Sequence, residues 1–174
     1  IYYTVQKEID FANNLLETNL HDSNLFYLIS NMPKSDNPKI VDFQYYMGSY
    51  GVPAAFIGIP IVDQGNTLGI LVFQIPINQI NEIMTNNENP QDMGLGETGE
   101  TYLVGKDATM RSISRRFAED KYSFLNNAQK MGVDPLTVSN MREFETTVLL
   151  QEVDTPPVHA ALKGETGIMK TTGY

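Results

Sequence analysis

The sequence predicts an α+β protein organised as two modules, each an antiparallel sheet flanked by helices. Three observations carry that expectation. A short amphipathic helix is followed by three strand-like runs in succession, a polar stretch rich in asparagine and glycine interrupts the pattern at residues 85–100, and strand-like and helical runs then begin again. The division expected from this is a first module over residues 1–90 and a second over residues 91–174.

The elements follow in order. "IYYTV" opens directly in strand-like residues. In "HDSNLFYLISNM", Asp22 is placed to cap a helix whose Leu25, Leu28, Ile29 and Met32 recur at three- and four-residue spacing. "MPKSDNPK" stops it with two prolines, and strands are expected at Ile40–Tyr46, Ala54–Val62 and Leu68–Ile77, the last two joined by a hairpin turn at "DQGN". Asn78 then caps a short helix through Met84, with Ile80 and Ile83 on its buried face. The second module is expected to hold a strand at Thr101–Gly105, a turn at "KDAT" and a helix from about Arg115 to Lys130, with Phe117, Lys121, Phe124, Leu125 and Ala128 on one side. A helix from Pro135, a strand at Thr146–Val153 and a helix with Thr155 as cap, Pro156 in the first turn and Gly164 past its end complete it. Both ends read as cut: "GIMKTTGY" stops on a strand with no partner after it.

Composition narrows the function. An apolar content of 41% suits a packed protein, and 12 basic against 21 acidic residues give a net charge of -9. Nucleic acid is therefore an unsuitable partner, because a phosphate backbone is bound by neutralising it with Lys and Arg. Without cysteine there is no disulfide, thiol nucleophile or thiolate metal site. No stretch approaches the roughly 20 apolar residues that a membrane helix needs.

His21 and His159 have no second ligand at metal spacing, so no metal or cofactor is expected. "GSYG" lacks the spacing of a nucleophile elbow, and "GLGETG" is followed by a strand where a phosphate loop needs a helix, so neither points to catalysis. Lys7, Glu8, Asp10 and Phe11 read as a solvated rim. Arg111, Arg115 and Arg116 in "MRSISRR" form a basic cluster that could meet an anion, with a solvated helix start as the simpler reading. The remaining candidate is "YYMGSYGVPAAFIGIPI". Alternation places Val41, Phe43 and Tyr45 on one face of the first strand and Ile40, Asp42, Gln44 and Tyr46 on the other. The second face, continued by Ala54, Phe56, Gly58 and Pro60, leaves room for a ligand touched by Asp42, Tyr46 and Phe56. A solvent- or helix-covered face without a ligand is the alternative.

"KEIDFANNL", "YGVPAAFIGIPI", "GILVFQIPINQINEIM" and "GLGETGETYLVGKDATMRSISR" resemble the double-Cache (tandem PAS-like) periplasmic sensor domains of bacterial chemoreceptors and transmembrane histidine kinases. The resemblance runs over nearly the whole chain and is most specific in its last piece. It implies two PAS-like modules, the chain being truncated at both ends. It also implies a small-molecule ligand held by the membrane-distal module, with Asp42, Tyr45, Tyr46, Ser49, Tyr50 and Phe56 at the matching pocket positions. Met47 stands where the amino-acid-binding version has an aspartate, so an α-amino acid is not the expected ligand. The function implied is non-catalytic signalling from the periplasmic or extracellular side of the cell membrane, in a membrane-anchored receptor that is a homodimer at full length. The alternative is a protein-interaction module that meets a periplasmic binding protein or a dimer partner without a small ligand.

Overall fold

A computed structural model describes residues 11–17, 19–33, 37–86 and 94–174. "IYYTV", Lys7, Glu8, Asp10 and part of the polar stretch lie outside the described residues. Among those described, the chain is α+β, with one three-stranded antiparallel sheet and six helices. It divides into two compact units, Ile1–Ile77 and Asn78–Tyr174.

In the first unit a single 3-10 turn, Asn19–Asp22, leads into helix α1, Asn24–Ser30. The cap is Ser23 rather than Asp22: its hydroxyl accepts from the Phe26 N–H at 3.1 Å, satisfying one of the amides that a helix start leaves open. Strands β1 (Lys39–Tyr46), β2 (Val52–Asp63) and β3 (Asn66–Pro76) form a meander in the order β1-β2-β3. The β2–β3 hairpin turns on Gln64 and Gly65, both at positive φ (46° and 83°), the conformation a tight two-residue hairpin turn requires.

One irregularity decides which face of this sheet is core. Val41 pairs with Phe56 but Gln44 pairs with Ala54, so β1 holds one residue more than β2 between those points. Such a bulge reverses the alternation beyond it. Tyr46 thereby joins Val41, Ala54 and Phe56 on one face, and Ile40 and Tyr45 fall on the other. Helix α1 covers the first of these faces, and Leu20, Leu25, Leu28, Val41, Tyr46, Ala54 and Phe56 form a continuous apolar core. The fully buried Leu25 and Leu28 each contribute about 1.5–3 kcal/mol by leaving water. The face read from simple alternation as open to a ligand is thus the packed one, and α1 occupies the space above it.

Helix α2, Ile77–Thr85, buries Ile77 and leaves Ile83 exposed. Its later residues bond within the second unit: the Asn81 Oδ1 accepts from Ile113 N–H at 2.7 Å, and the Met84 carbonyl accepts from the Thr101 hydroxyl at 2.6 Å. The expected helix over 115–130 is two helices, α3 (Arg115–Glu119) and α4 (Lys121–Lys130). Asp120 leaves the helical region (φ -147°, ψ 81°), and its carboxylate accepts from the Ser123 N–H at 2.9 Å, ending one helix and capping the next. Helices α5 (Pro135–Glu143) and α6 (Pro156–Leu162) match the expected positions.

The expected strands at 101–105, 146–153 and "GIMKTTGY" do not form. Among the described residues the second unit has only the isolated bridges Val104–Met110 and Thr109–Glu152. The cause is local. Leu149 takes positive φ inside the 146–153 run, which breaks an extended strand, and the Leu103 N–H donates to the Ser112 hydroxyl instead of to a neighbouring carbonyl.

Candidate functional site

The six residues expected to line a pocket lie on β1, on the turn after it and on β2. Tyr46 and Phe56 are 0% and 1% exposed. Their rings meet edge to face with centroids 5.0 Å apart, an arrangement that stabilises the core beyond simple burial. They are core side chains under α1. Asp42 lies in the bulge, where its carboxylate accepts from the Phe43 N–H at 2.7 Å. The Asp42 carbonyl accepts from the Asn24 amide at 2.8 Å, and the same amide reaches the Ala54 carbonyl at 2.7 Å. Asn24 therefore pins the start of α1 to the bulge. No spacing rule singles out that asparagine in the sequence.

Ser49 is buried, and its hydroxyl accepts from the Gln74 side chain at 3.2 Å. Of the six, only Tyr45 and Tyr50 present large aromatic surface to solvent, 47% and 73% exposed. Burial of part of the Tyr45 ring raises its phenol pKa above the ordinary tyrosine value. Tyr50 and Gly51 both take the left-handed conformation (φ 54° and 81°), and the Gly51 N–H donates to the Tyr46 carbonyl at 2.9 Å. This reversal carries the Tyr50 ring outward, at a backbone cost of about 1–2 kcal/mol for a residue other than glycine. The corner is thus two exposed tyrosines on either side of buried Tyr46 along the chain, with Tyr45 on the sheet face away from the Tyr46–Phe56 pair.

The basic cluster of the second unit is built differently from its sequence reading. Arg111 and Arg115 are buried, and Arg116 is exposed. Arg115 donates to Glu119 at 2.6 Å, to the Gly96 and Glu97 carbonyls at 3.1 Å each, and to the Gly99 carbonyl. "GLGETG" therefore turns carbonyl oxygens inward around a cation, the polarity opposite to a phosphate loop. Gly99 has no room for a side chain, since a Cβ would lie 2.1 Å from the Leu95 carbonyl oxygen. Glu100 joins the parts: it accepts from the Arg115 N–H at 2.7 Å and from the Tyr174 hydroxyl at 2.6 Å. Burial, followed by that hydrogen bond, pushes the Tyr174 phenol far above its ordinary value. Arg111 donates to Asp107 at 3.0 Å and to the Thr109 carbonyl at 3.0 Å. Two of the three arginines thus hold loops in place, and only Arg116 remains available to a ligand.

His159 meets Asp154 at 2.6 Å, and no metal-holding group of His, Asp and Glu occurs among the described residues. No described helix is long and apolar enough to cross a membrane. No protein-family model, curated protein or solved structure matches this chain.

Proposed function

We propose that this chain is the extracytoplasmic sensing portion of a bacterial transmembrane receptor, a chemoreceptor or a histidine kinase. It carries two PAS-like modules of the double-Cache type and binds a small molecule at the first, without chemistry. The observation that carries this reading is the corner itself: exposed Tyr45 and Tyr50 alternate with Tyr46, which is locked against Phe56 beneath the helix. A ligand seated on the two tyrosines and Asp42 pulls on the strand that holds Tyr46. Tyr46, Phe56 and Leu28 belong to one packed cluster, so a shift of that strand is felt by α1. Differential affinity for two positions of α1 then becomes a signal. The motif resemblance over nearly the whole chain supports the same reading.

One feature favours the protein-interaction alternative. The sheet face opposite α1 carries Ile40, Ile57 and Phe73 in cross-strand register, with Ile59 beside Leu71, and Ile40 and Phe73 are 64% and 62% exposed. An apolar patch of this kind often marks a protein contact.

Thermal denaturation against a panel of small metabolites separates the two. A specific ligand raises the melting temperature with concentration by mass action, and Tyr50→Ala abolishes the rise. Failure of every compound, together with concentration-dependent self-association that Phe73→Ser removes, would establish the interaction reading instead.

A further inference from the structure

We propose that a groove in the second unit binds a small organic monocarboxylate with a flat apolar body. The groove has a volume of about 450 Å³, within the range of small-molecule sites. Its buried and half-buried lining is mostly apolar or aromatic, from Phe124, Ala128, Val133 and Tyr174, with one buried amide, Gln151, and two exposed cations, Arg116 and Lys130, also line it.

The charges decide what fits. Glu119 and Asp120 line the groove too, but both carboxylates are committed. Glu119 holds the buried Arg115 at 2.6 Å, and Asp120 accepts from the Ser123 N–H and hydroxyl at 2.9 and 2.7 Å. Arg116 and Lys130 have no acidic partner among the described residues. With Glu119 neutralised by Arg115, the lining keeps two positive charges against the one on Asp120. Glu100, bonded to the hydroxyl of the lining Tyr174 at 2.6 Å, adds a negative charge behind the groove, so what marks it is two unpaired cations on a chain of net charge -9 rather than a net local charge. A carboxylate can take charge-assisted hydrogen bonds from either cation. A polyanion would meet the carboxylates of Asp120 and Glu100, which disfavours nucleotides and polyphosphates. The aromatic side chains Phe124 and Tyr174 supply apolar surface for the body of the ligand. Nothing in this assignment depends on the receptor reading of the first unit.

The test is a titration of the full chain with benzoate and phenylacetate, followed by amide chemical shifts, with benzamide and phenylacetamide as uncharged matches. The expected result is saturable shifts centred on Lys130 and Met131, with the amides binding at least about tenfold more weakly. Arg116→Gln combined with Lys130→Gln weakens the acids by a similar factor and leaves the amides unchanged. Asn127→Trp fills the groove from α4 without altering either charge, and it abolishes binding of both. Absence of saturable shifts with either acid, equal binding of acid and amide, or undiminished binding by both variants would overturn the proposal.

Discussion

Phe56 and Tyr50 belong to one aromatic corner, but burial gives them different work. Phe56→Ala opens a cavity beneath α1 and is expected to cost about 3–5 kcal/mol by chemical denaturation. Tyr50→Ala removes a ring that is mostly in water and is expected to change stability by no more than about 0.5 kcal/mol. Arg115 shows the same logic for a charge. Arg115→Met leaves the carbonyls of Gly96, Glu97 and Gly99 without their donor and is expected to cost about 3 kcal/mol. Arg115→Lys recovers little of this, since an ammonium cannot reproduce the planar fork. Asp107 introduces a pH dependence. Burial alone would raise its pKa, but hydrogen bonds from Arg111 and Thr109 hold it below the ordinary 3.8. A carboxyl with a lowered folded-state pKa stabilises the protein above its unfolded pKa, and that contribution is lost as pH falls through the folded value. Urea denaturation from pH 6 down to pH 2 is expected to show a shallower acid limb for Asp107→Asn than for the wild type.

At the scale of elements, α1 on the sheet is the contact that sets the first unit. Gly58 sits where a Cβ would lie 2.8 Å from the Met32 Cε and 3.1 Å from a Leu28 methyl. Both are tips of side chains, and Met32 can swing aside. Gly58→Ala is therefore expected to cost about 1 kcal/mol and Gly58→Val, which must displace the helix, about 3 kcal/mol, both read from denaturation midpoints. This contact also shows where the sequence was legible and where it was not. The apolar spacing in α1 and the "DQGN" turn follow from local rules, and they are visible to a reader of residues. The bulge between Val41 and Gln44 is not, because it depends on which strand pairs with which; one extra residue then moved Val41 onto the face of Tyr46 and Phe56, and Ile40 off it. In the second unit, "TYLVG" and "TTVLLQEV" have strand-forming composition. Their pairing is nevertheless interrupted by the positive φ of Leu149 and by the side chains of Ser112 and Thr147, which take over backbone hydrogen bonds. The split at Asp120 was in principle readable, since aspartate is a favoured N-cap residue and Asp120 precedes the run that forms α4.

Over the whole molecule, each unit carries its own core. One is the cluster around Leu25, Tyr46 and Phe56, and another the cluster around Phe117, Leu125 and Met141. A lesion in one core is accordingly expected to lower the transition of its own unit first, Phe56→Ala for residues 1–77 and Arg115→Met for the remainder. The central claim concerns the first unit: that its tyrosine corner takes up a small molecule. Calorimetric titration of the wild type and of Tyr50→Ala with the compound giving the largest thermal shift tests it most directly. The account predicts saturable binding at one site per chain by the wild type and at least about tenfold weaker binding by Tyr50→Ala, whose fold is intact. Equal affinity in the two proteins, or no saturable binding to the wild type, would contradict it.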